Sequence, residues 1–108
     1  MTVELLSKET DFTPVALPSP EREIAGAYVG DLLSWVMGRA NADNAWVTIM
    51  SNINVIAVAT LTDVSCVIFA EGVNPDSELI SLAEEKGVNL LATPLSAYDC
   101  AKRLGALL

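Results

Sequence analysis

Two acidic side chains, Asp31 and Glu71, are the groups in this sequence best suited to exchange protons with a substrate or to ligate a metal ion. Each follows a predicted β-strand. Paired carboxylates catalyse proton transfer only where a cleft holds both against a substrate, and their oxygens are suitable ligands for Mg²⁺. The sequence demonstrates no such cleft. An enzyme that uses Asp31 and Glu71 is therefore the least favoured of the three functions considered below. We expect no cofactor, and the one alternative to test is a Mg²⁺ ion that bridges these carboxylates to a ligand.

Other catalytic groups are absent or poorly placed. The sequence contains no histidine, which excludes His-based acid–base catalysis, Ser-His-Asp and Cys-His pairs, and most zinc sites. It lacks the G-x-x-x-x-G-K-[ST] loop, which excludes P-loop kinase activity. Cys66 and Cys100 have no metal-ligand spacing, and we expect both to be reduced packing residues. Because Cys66 lies in an apolar run with no nearby basic residue, we expect its thiol pKa to be raised. The sequence thus predicts a protein that is not an enzyme.

The charge of the chain argues against two classes of partner. Its formal net charge is −8, from 14 acidic and 6 basic residues. Nucleic acids and anionic membrane surfaces both attract clustered basic residues, whereas the basic residues here are scattered along the chain. They are Lys8, Arg22, Arg39, Lys86, Lys102 and Arg103. No signal peptide and no apolar stretch long enough to cross a membrane is apparent, so the expected location is the cytoplasm.

The composition predicts one small domain that associates with itself. Its 108 residues are the length of a single domain, and 52% of them are hydrophobic. Since a small domain has much surface for its volume, we expect an apolar patch to remain exposed on a monomer and a homodimer to cover it. Trp35 lies off the apolar stripe of its predicted helix. It is either a contact at a subunit interface or a half-buried core residue.

Strand-like and helix-like segments alternate along most of the chain. The predicted strands are residues 24–29, 45–50, 66–70 and 88–92, and the predicted helices are residues 32–40, 75–86 and 94–107. Residues 53–61 are ambiguous, because their β-branched content favours a strand while their apolar spacing also allows a buried helix. Topology favours the helix, since two parallel strands need a crossover between them.

Local signals mark where these elements begin and end. Asp31, Asn74 and Thr93 are predicted N-caps, and Gly87 is the predicted stop of the helix that precedes the last strand. In the first predicted helix the expected apolar face consists of Leu32, Leu33, Val36 and Met37. Residues 1–22 are predicted to be irregular. Within them, residues 3–6 form a strand or a short helix, and prolines indicate an extended edge segment.

This order of elements predicts an α/β fold with three layers. The expected architecture is a Rossmann-like, mostly parallel sheet of about five strands, with helices on both faces. In such sheets, ligands bind at the carboxyl ends of the strands. The polar residues expected at that edge are Asp31, Ser34, Asn52, Asn54, Glu71, Thr93 and Ser96. They form either a small ligand pocket or a set of helix caps, and N-capping alone accounts for most of these residue types.

A bare phosphate is a poor ligand for this edge. Helix N-termini attract anions, but no lysine or arginine lies at any of the predicted strand ends, and Asp31 and Glu71 would repel a phosphate. A Mg²⁺ ion held by these two carboxylates could bridge to a nucleotide.

Three stretches of the chain resemble the DRTGG domain family: residues 26–34 (GAYVGDLLS), 54–59 (NVIAVA) and 92–98 (ATPLSAY). The resemblance extends from about residue 23 to the C-terminus. It implies a Rossmann-like domain related to the non-catalytic N-terminal domain of HPr kinase. It also implies a regulatory or dimer-forming role, as in proteins that carry such domains beside phosphotransacetylase or within regulated family II pyrophosphatases. The sequence departs from the family in lacking the letters D-R-T-G-G, and it has Glu71-Gly72 where many members have a glycine pair.

Two other classes of function are therefore favoured over an enzyme. The first is a non-catalytic regulatory or scaffolding module that acts as a homodimer, with a protein partner or a small sensed ligand. The second is a binding protein for a small molecule or a magnesium–nucleotide complex, with its pocket at the carboxyl ends of the strands.

Overall fold

The computed structural model describes residues 1–108 and confirms the α/β architecture. A five-stranded sheet has the order β1-β5-β4-β3-β2, in which β2 to β5 are parallel and β1 is antiparallel to β5. The strands are β1 (Thr13–Ala16), β2 (Ala27–Val29), β3 (Ala45–Thr48), β4 (Cys66–Phe69) and β5 (Leu90–Ala92). The helices are α1 (Val3–Ser7), α2 (Leu33–Arg39), α3 (Asn54–Thr62), α4 (Ser77–Lys86) and α5 (Ala97–Leu107).

The central strands are covered on both faces because their side chains alternate between two hydrophobic clusters. Trp46, Val67 and Phe69 face a cluster formed with α2, α3 and α4. Val47 and Ile68 face the opposite cluster, formed with α1 and α5. Every residue of β3 and β4 is buried, which is the environment expected for short apolar strands in a parallel sheet. Both faces of the sheet therefore carry helices, as predicted.

The N-terminal residues contain more regular structure than the proline pattern indicated. Residues 3–7 form α1, capped by the Thr2 side chain, which accepts a hydrogen bond from the Leu5 amide. The following segment supplies β1 at one edge of the sheet, where Pro14 lies opposite Leu91. Proline is tolerated there because an edge strand does not need every amide for the ladder.

The predicted N-caps of α2, α4 and α5 are wrong, although all three helices are present. The cap of α2 is Leu32, without a side-chain hydrogen bond, so Asp31 lies outside the helix. Asp76 caps α4 by accepting a hydrogen bond from the Leu79 amide, and Asn74 does not. Ser96, not Thr93, caps α5. Before α4 and α5 two nearby residues have cap-forming chemistry, so the sequence alone does not select between them. Before α2 the helix begins one residue later than the Asp31 signal indicated.

Other local predictions are confirmed. The ambiguous segment forms α3, and its buried side chains are Val55, Ile56, Val58 and Ala59. Gly87 ends α4 in the left-handed conformation at φ 76°, which glycine adopts without a steric penalty. None of the helices has the length and apolar character needed to cross a bilayer.

The apolar face predicted for α2 is wrong for two of its four residues. Of its four residues, Val36 is buried and Leu33 is half-buried, whereas Leu32 and Met37 are exposed. The helix contains only 7 residues, and its main contact with another element is with α3. A short helix that packs mainly against one neighbouring helix buries few side chains, so part of its hydrophobic face remains in solvent.

Candidate functional site

The carboxyl ends of the parallel strands β2 to β5 lie at one edge of the sheet, as the site hypothesis requires. At that edge the residues fall into two groups. Asp31 lies where β2 and β3 end, and Glu71, Thr93 and Ser96 lie where β4 and β5 end and α5 begins. Asn52 lies in the turn before α3, and Asn54 is the first residue of α3 and lines a concavity between α3 and α4. The predicted residues are thus distributed along the edge.

The Asp31 carboxylate joins the ends of two neighbouring strands. Its Oδ1 atom accepts hydrogen bonds from the Thr48 hydroxyl at 2.8 Å and from the Ile49 amide at 2.9 Å. The same hydroxyl accepts from the Met50 amide at 3.1 Å. Where β2 ends, β3 continues without a backbone partner, and the carboxylate supplies the missing acceptor. Asp31 therefore has a structural role that sequence reasoning assigned wrongly to helix capping.

The Glu71 carboxylate holds the start of α5. Its Oε2 atom accepts a hydrogen bond from the Ala97 amide at 2.8 Å, and the Glu71 amide donates to the Leu95 carbonyl at 2.8 Å. The Ala97 amide is among the first of α5, which have no acceptor within the helix. Glu71 adopts a left-handed backbone with φ 61°, a conformation that favours glycine. An acidic side chain near the positive end of the helix dipole offsets part of that strain.

The remaining predicted residues mostly form short-range turns and caps. Thr93 Oγ1 accepts from the Leu95 amide, Ser96 Oγ from the Asp99 amide, and Asn52 Oδ1 from the Asn54 amide. Ser34 is exposed on α2, and no side-chain hydrogen bond to it is formed. The predicted alternative of structural caps accounts for three of these side chains directly.

Asp31 and Glu71 do not share a common set of contacts. Strand β3 lies between β2 and β4, and strands are spaced about 4.8 Å apart, so the two strand ends are separated by about 10 Å. Each carboxylate binds a different set of protein donors. No group of three or more Cys, Asp or Glu side chains is arranged to hold a metal ion.

A small pocket lies at the ends of β4 and β5, against the edge strand β1. Its volume is about 160 Å³, and Thr93 is the one predicted site residue that lines it. The other lining residues are Thr13, Val15, Gly72, Val73, Asn74, Ala92 and Pro94. No charged side chain contributes. Sequence reasoning missed Thr13, because the position of β1 beside β5 depends on long-range pairing.

The two thiols lie in the cluster beneath α1 and α5 and are unreactive. Burial raises the pKa of Cys66 to about 12, with a smaller contribution from the nearby Cys100. Burial also raises the pKa of Cys100 to about 11. Both are free cysteines. At neutral pH they are protonated, and a thiol is a weak nucleophile compared with the thiolate.

Exposed apolar side chains cluster in sequence on and around α2. Leu32 is 59% exposed and Trp35 53%, and Met37 and the strand-end residues Val29 and Ile49 are also exposed. We refer to Leu32, Trp35 and Met37, the exposed apolar residues on and directly before α2, as the α2 surface. The Arg39 guanidinium stacks on the Trp35 ring, 3.7 Å from its centroid. This stacking holds the indole ring in place while leaving half of its surface in solvent.

A groove runs between α3 and α4 on the same side of the sheet. Two adjoining concavities of about 400 and 540 Å³ share Ile53 and Leu82. We define the α3–α4 groove by its apolar residues Ile53, Ala57, Leu61 and Leu82 and its acidic residues Glu78 and Glu85. None of these six was among the predicted site residues. The sequence of α3 could have indicated this groove, because the helix contains no charged residue and is apolar on more than one face.

Comparison with known proteins supports the resemblance found in the sequence. The family model for the DRTGG domain matches residues 29–107. Among solved structures, the chain is similar to the CBS and DRTGG domains of the regulatory region of Clostridium perfringens pyrophosphatase, crystallised with the activator diadenosine tetraphosphate. The TM-score is 0.62 at 17% sequence identity, and the match covers 86% of this chain and 40% of the other. None of the functionally curated proteins matches the chain.

Proposed function

This chain belongs to the DRTGG domain family, and from that premise we propose that it is a non-catalytic regulatory module that acts as a homodimer. The structural neighbour with the same fold is part of a regulatory region. The chain spans 40% of that neighbour's length, so we do not infer from the neighbour which process this module regulates.

One contrast within the site carries the proposal. The two carboxylates that could do chemistry accept hydrogen bonds from the protein's own backbone and hydroxyl groups. By contrast, the large apolar side chains of the α2 surface are exposed. Because the carboxylates accept hydrogen bonds from the protein itself, a structural role for the carboxyl edge of the sheet is favoured over a catalytic one. Exposed aromatic and aliphatic side chains, in turn, are typical of a protein–protein contact. The proposed contact surface of the homodimer is therefore the α2 surface.

A ligand-sensing role is the second candidate, and it rests on the pocket beside Thr93. Its volume of about 160 Å³ is below the roughly 300 Å³ of ordinary small-molecule sites. The Thr13, Asn74 and Thr93 side chains could orient a small uncharged ligand. Since the lining contains no basic residue, neither a nucleotide nor a free phosphate has a charged partner there.

Sedimentation equilibrium over a range of protein concentrations tests the homodimer. We expect the wild-type chain to dimerise and Leu32→Glu to shift the chain to monomer, because a charge would be buried without a partner at the contact. The matched control is Leu5→Glu, which places the same charge at a leucine of similar exposure, 53%, on α1. A wild-type chain that remains monomeric at all concentrations, or equal effects of the two variants, would contradict the proposed contact surface.

A further inference from the structure

The α3–α4 groove is separate from the α2 surface and is built from two parallel stripes of side chains. Ile53, the N-cap of α3, and Ala57 and Leu61 within α3 recur at intervals of four residues and are exposed. Their exposure is high, with Leu61 at 70%. Recurrence at i and i+4 places them on one helix face. The buried residues of α3, which include Val55 and Ala59, form another stripe that contacts the core. The helix α3 is therefore apolar on its buried face and on its exposed face.

The opposite wall has a different character. On α4, Glu78 and Glu85 flank Leu82 at the spacing of one helix face. The wall formed by α3 has no charge at all. Lys86 lies at the end of the groove near Leu61, outside the concavity that contains the two glutamates. The smaller concavity is thus bordered by two glutamates, whereas the larger, which holds Ala57 and Leu61, has Lys86 as its one charged residue. Together the two offer an apolar floor with acidic side chains along the α4 wall and a lysine at its C-terminal end.

A second copy of this chain does not complement such a surface. Four of its six basic side chains are already engaged within the molecule. Arg22 and Arg103 lie against acidic residues, Lys8 pairs with Glu4, and Arg39 stacks on Trp35. Lys86 belongs to the groove itself, which leaves Lys102. One lysine on α5 does not provide a basic helix face.

We propose that the α3–α4 groove binds an amphipathic helix of a partner protein, with an apolar stripe on the groove floor and lysine or arginine residues along the side that faces α4. The walls contain 9 and 10 residues and are therefore about 15 Å long at 1.5 Å per residue. This length matches two to three turns of a docked helix. Helix-in-groove binding uses anchors at i, i+3, i+4 and i+7, and the charge of the flanking residues selects the partner and its orientation.

The probe is a fluorescently labelled 18-residue helical peptide of leucine and lysine, with leucines on one face. A scrambled peptide of the same composition keeps the charge but loses the apolar stripe, and this control is needed because the chain as a whole carries a charge of −8. By fluorescence anisotropy, we expect the amphipathic peptide to bind at least about tenfold more tightly than the scrambled one, since a few central apolar anchors dominate such interfaces. Equal binding of the two peptides would overturn the proposal.

Variants of the full chain locate the contact. Glu85→Lys should weaken binding several-fold, whereas Glu84→Lys, the same charge change at the adjacent exposed position outside the groove, should have a smaller effect. Leu61→Ser should weaken binding by about tenfold, and Leu5→Ser should leave it unchanged. Circular dichroism confirms folding of each variant, which is expected because all four positions are exposed.

The same variants separate this proposal from the homodimer. If Leu61→Ser abolishes self-association and the peptide does not bind, the groove contacts a second copy, and the proposal of a basic helix is overturned. If Leu32→Glu changes only self-association and Leu61→Ser changes only peptide binding, both surfaces act as proposed. Equal affinities for Glu84→Lys and Glu85→Lys would show that the peptide responds to overall charge and would also overturn the proposal.

Discussion

The carboxyl edge of the sheet and the outer surface of α2 to α4 differ in whether their side chains have partners within the protein. At the edge, the side chains of Asp31 and Glu71 accept hydrogen bonds from neighbouring strands and from the start of a helix. On the outer surface, Leu32 and Leu61 are mostly in solvent. Residue types that are typical of catalytic sites are thus used to build the fold, and residue types that are typical of a core are left exposed to solvent.

The two tryptophans give the largest contrast between interior and surface. Trp46 is fully buried, and its indole N–H donates to the Gly30 carbonyl at 2.9 Å. We expect Trp46→Ala to lower the free energy of unfolding by about 3–5 kcal/mol, as for other large core side chains. Trp35→Ala should change it by less than about 0.5 kcal/mol, because surface changes are usually of that size. Urea unfolding of the two variants at a concentration where both are monomeric measures the difference, and a similar loss in both would remove the distinction.

The buried thiols predict a pH limit on stability. Their folded-state pKa values, about 12 for Cys66 and about 11 for Cys100, lie above the ordinary value of 9.0. A raised pKa means that the unfolded chain releases these protons first. Their contribution is therefore fully present below pH 9 and is lost between pH 9 and about 11 for Cys100 and between pH 9 and about 12 for Cys66, at about 1.4 kcal/mol per pH unit for each thiol.

Urea midpoints measured from pH 8 to pH 10.5 test this pH dependence. The Cys66→Ala/Cys100→Ala variant is the matched control, because it should lose the part of the slope that comes from the thiols. The same slope in the variant and in the wild type would assign the loss to other groups, such as tyrosine and lysine side chains. A thiol reagent at pH 8 provides a second check, since it should label the wild type only after unfolding.

At the edge of the sheet, Asp31 tests whether the strand ends are structural. Asp31→Ala removes the acceptor for both the Thr48 hydroxyl and the Ile49 amide. Thr48 is buried, so we expect a loss of about 1–3 kcal/mol. Asp31→Asn keeps an oxygen at the same position and should retain most of the stability. If Asn is as damaging as Ala in thermal or urea unfolding, the charge of Asp31 matters in a way that these hydrogen bonds do not explain.

At the edge of the sheet, a smaller effect than that of Asp31 is expected at Glu71, where two contributions oppose each other. Glu71→Ala removes the bond to the Ala97 amide and keeps a side chain at φ 61°, so the loss should be about 1 kcal/mol. Glu71→Gly also removes that bond but relieves the left-handed strain, which is worth about 0.4–1 kcal/mol. We therefore expect Gly to be more stable than Ala by differential scanning calorimetry. The opposite order would show that the backbone at this turn is not strained.

Most of the fold could be predicted from local patterns, and the site could be predicted only in part. Alternating apolar segments indicated four parallel strands, and the need for a crossover identified α3 correctly. The strand-end positions of Asp31, Glu71 and Thr93 also followed from topology. What those side chains contact did not follow, because hydrogen-bonding partners such as Thr48 and Ala97 are 17 and 26 positions away along the chain.

By itself, the sequence determined the type and order of the elements from β2 to α5 and the buried, protonated character of the cysteines. These features depend on periodicity and composition, which are local. The tertiary structure decided which polar residues are caps and which are braces between strands, and which hydrophobic residues remain in solvent. Leu32 has the spacing of a core residue but is exposed at the start of a helix of only 7 residues, and Leu61 lies on the exposed stripe of α3 that lines the outer groove. Burial depends on what lies opposite a side chain, and only the packed structure specifies that.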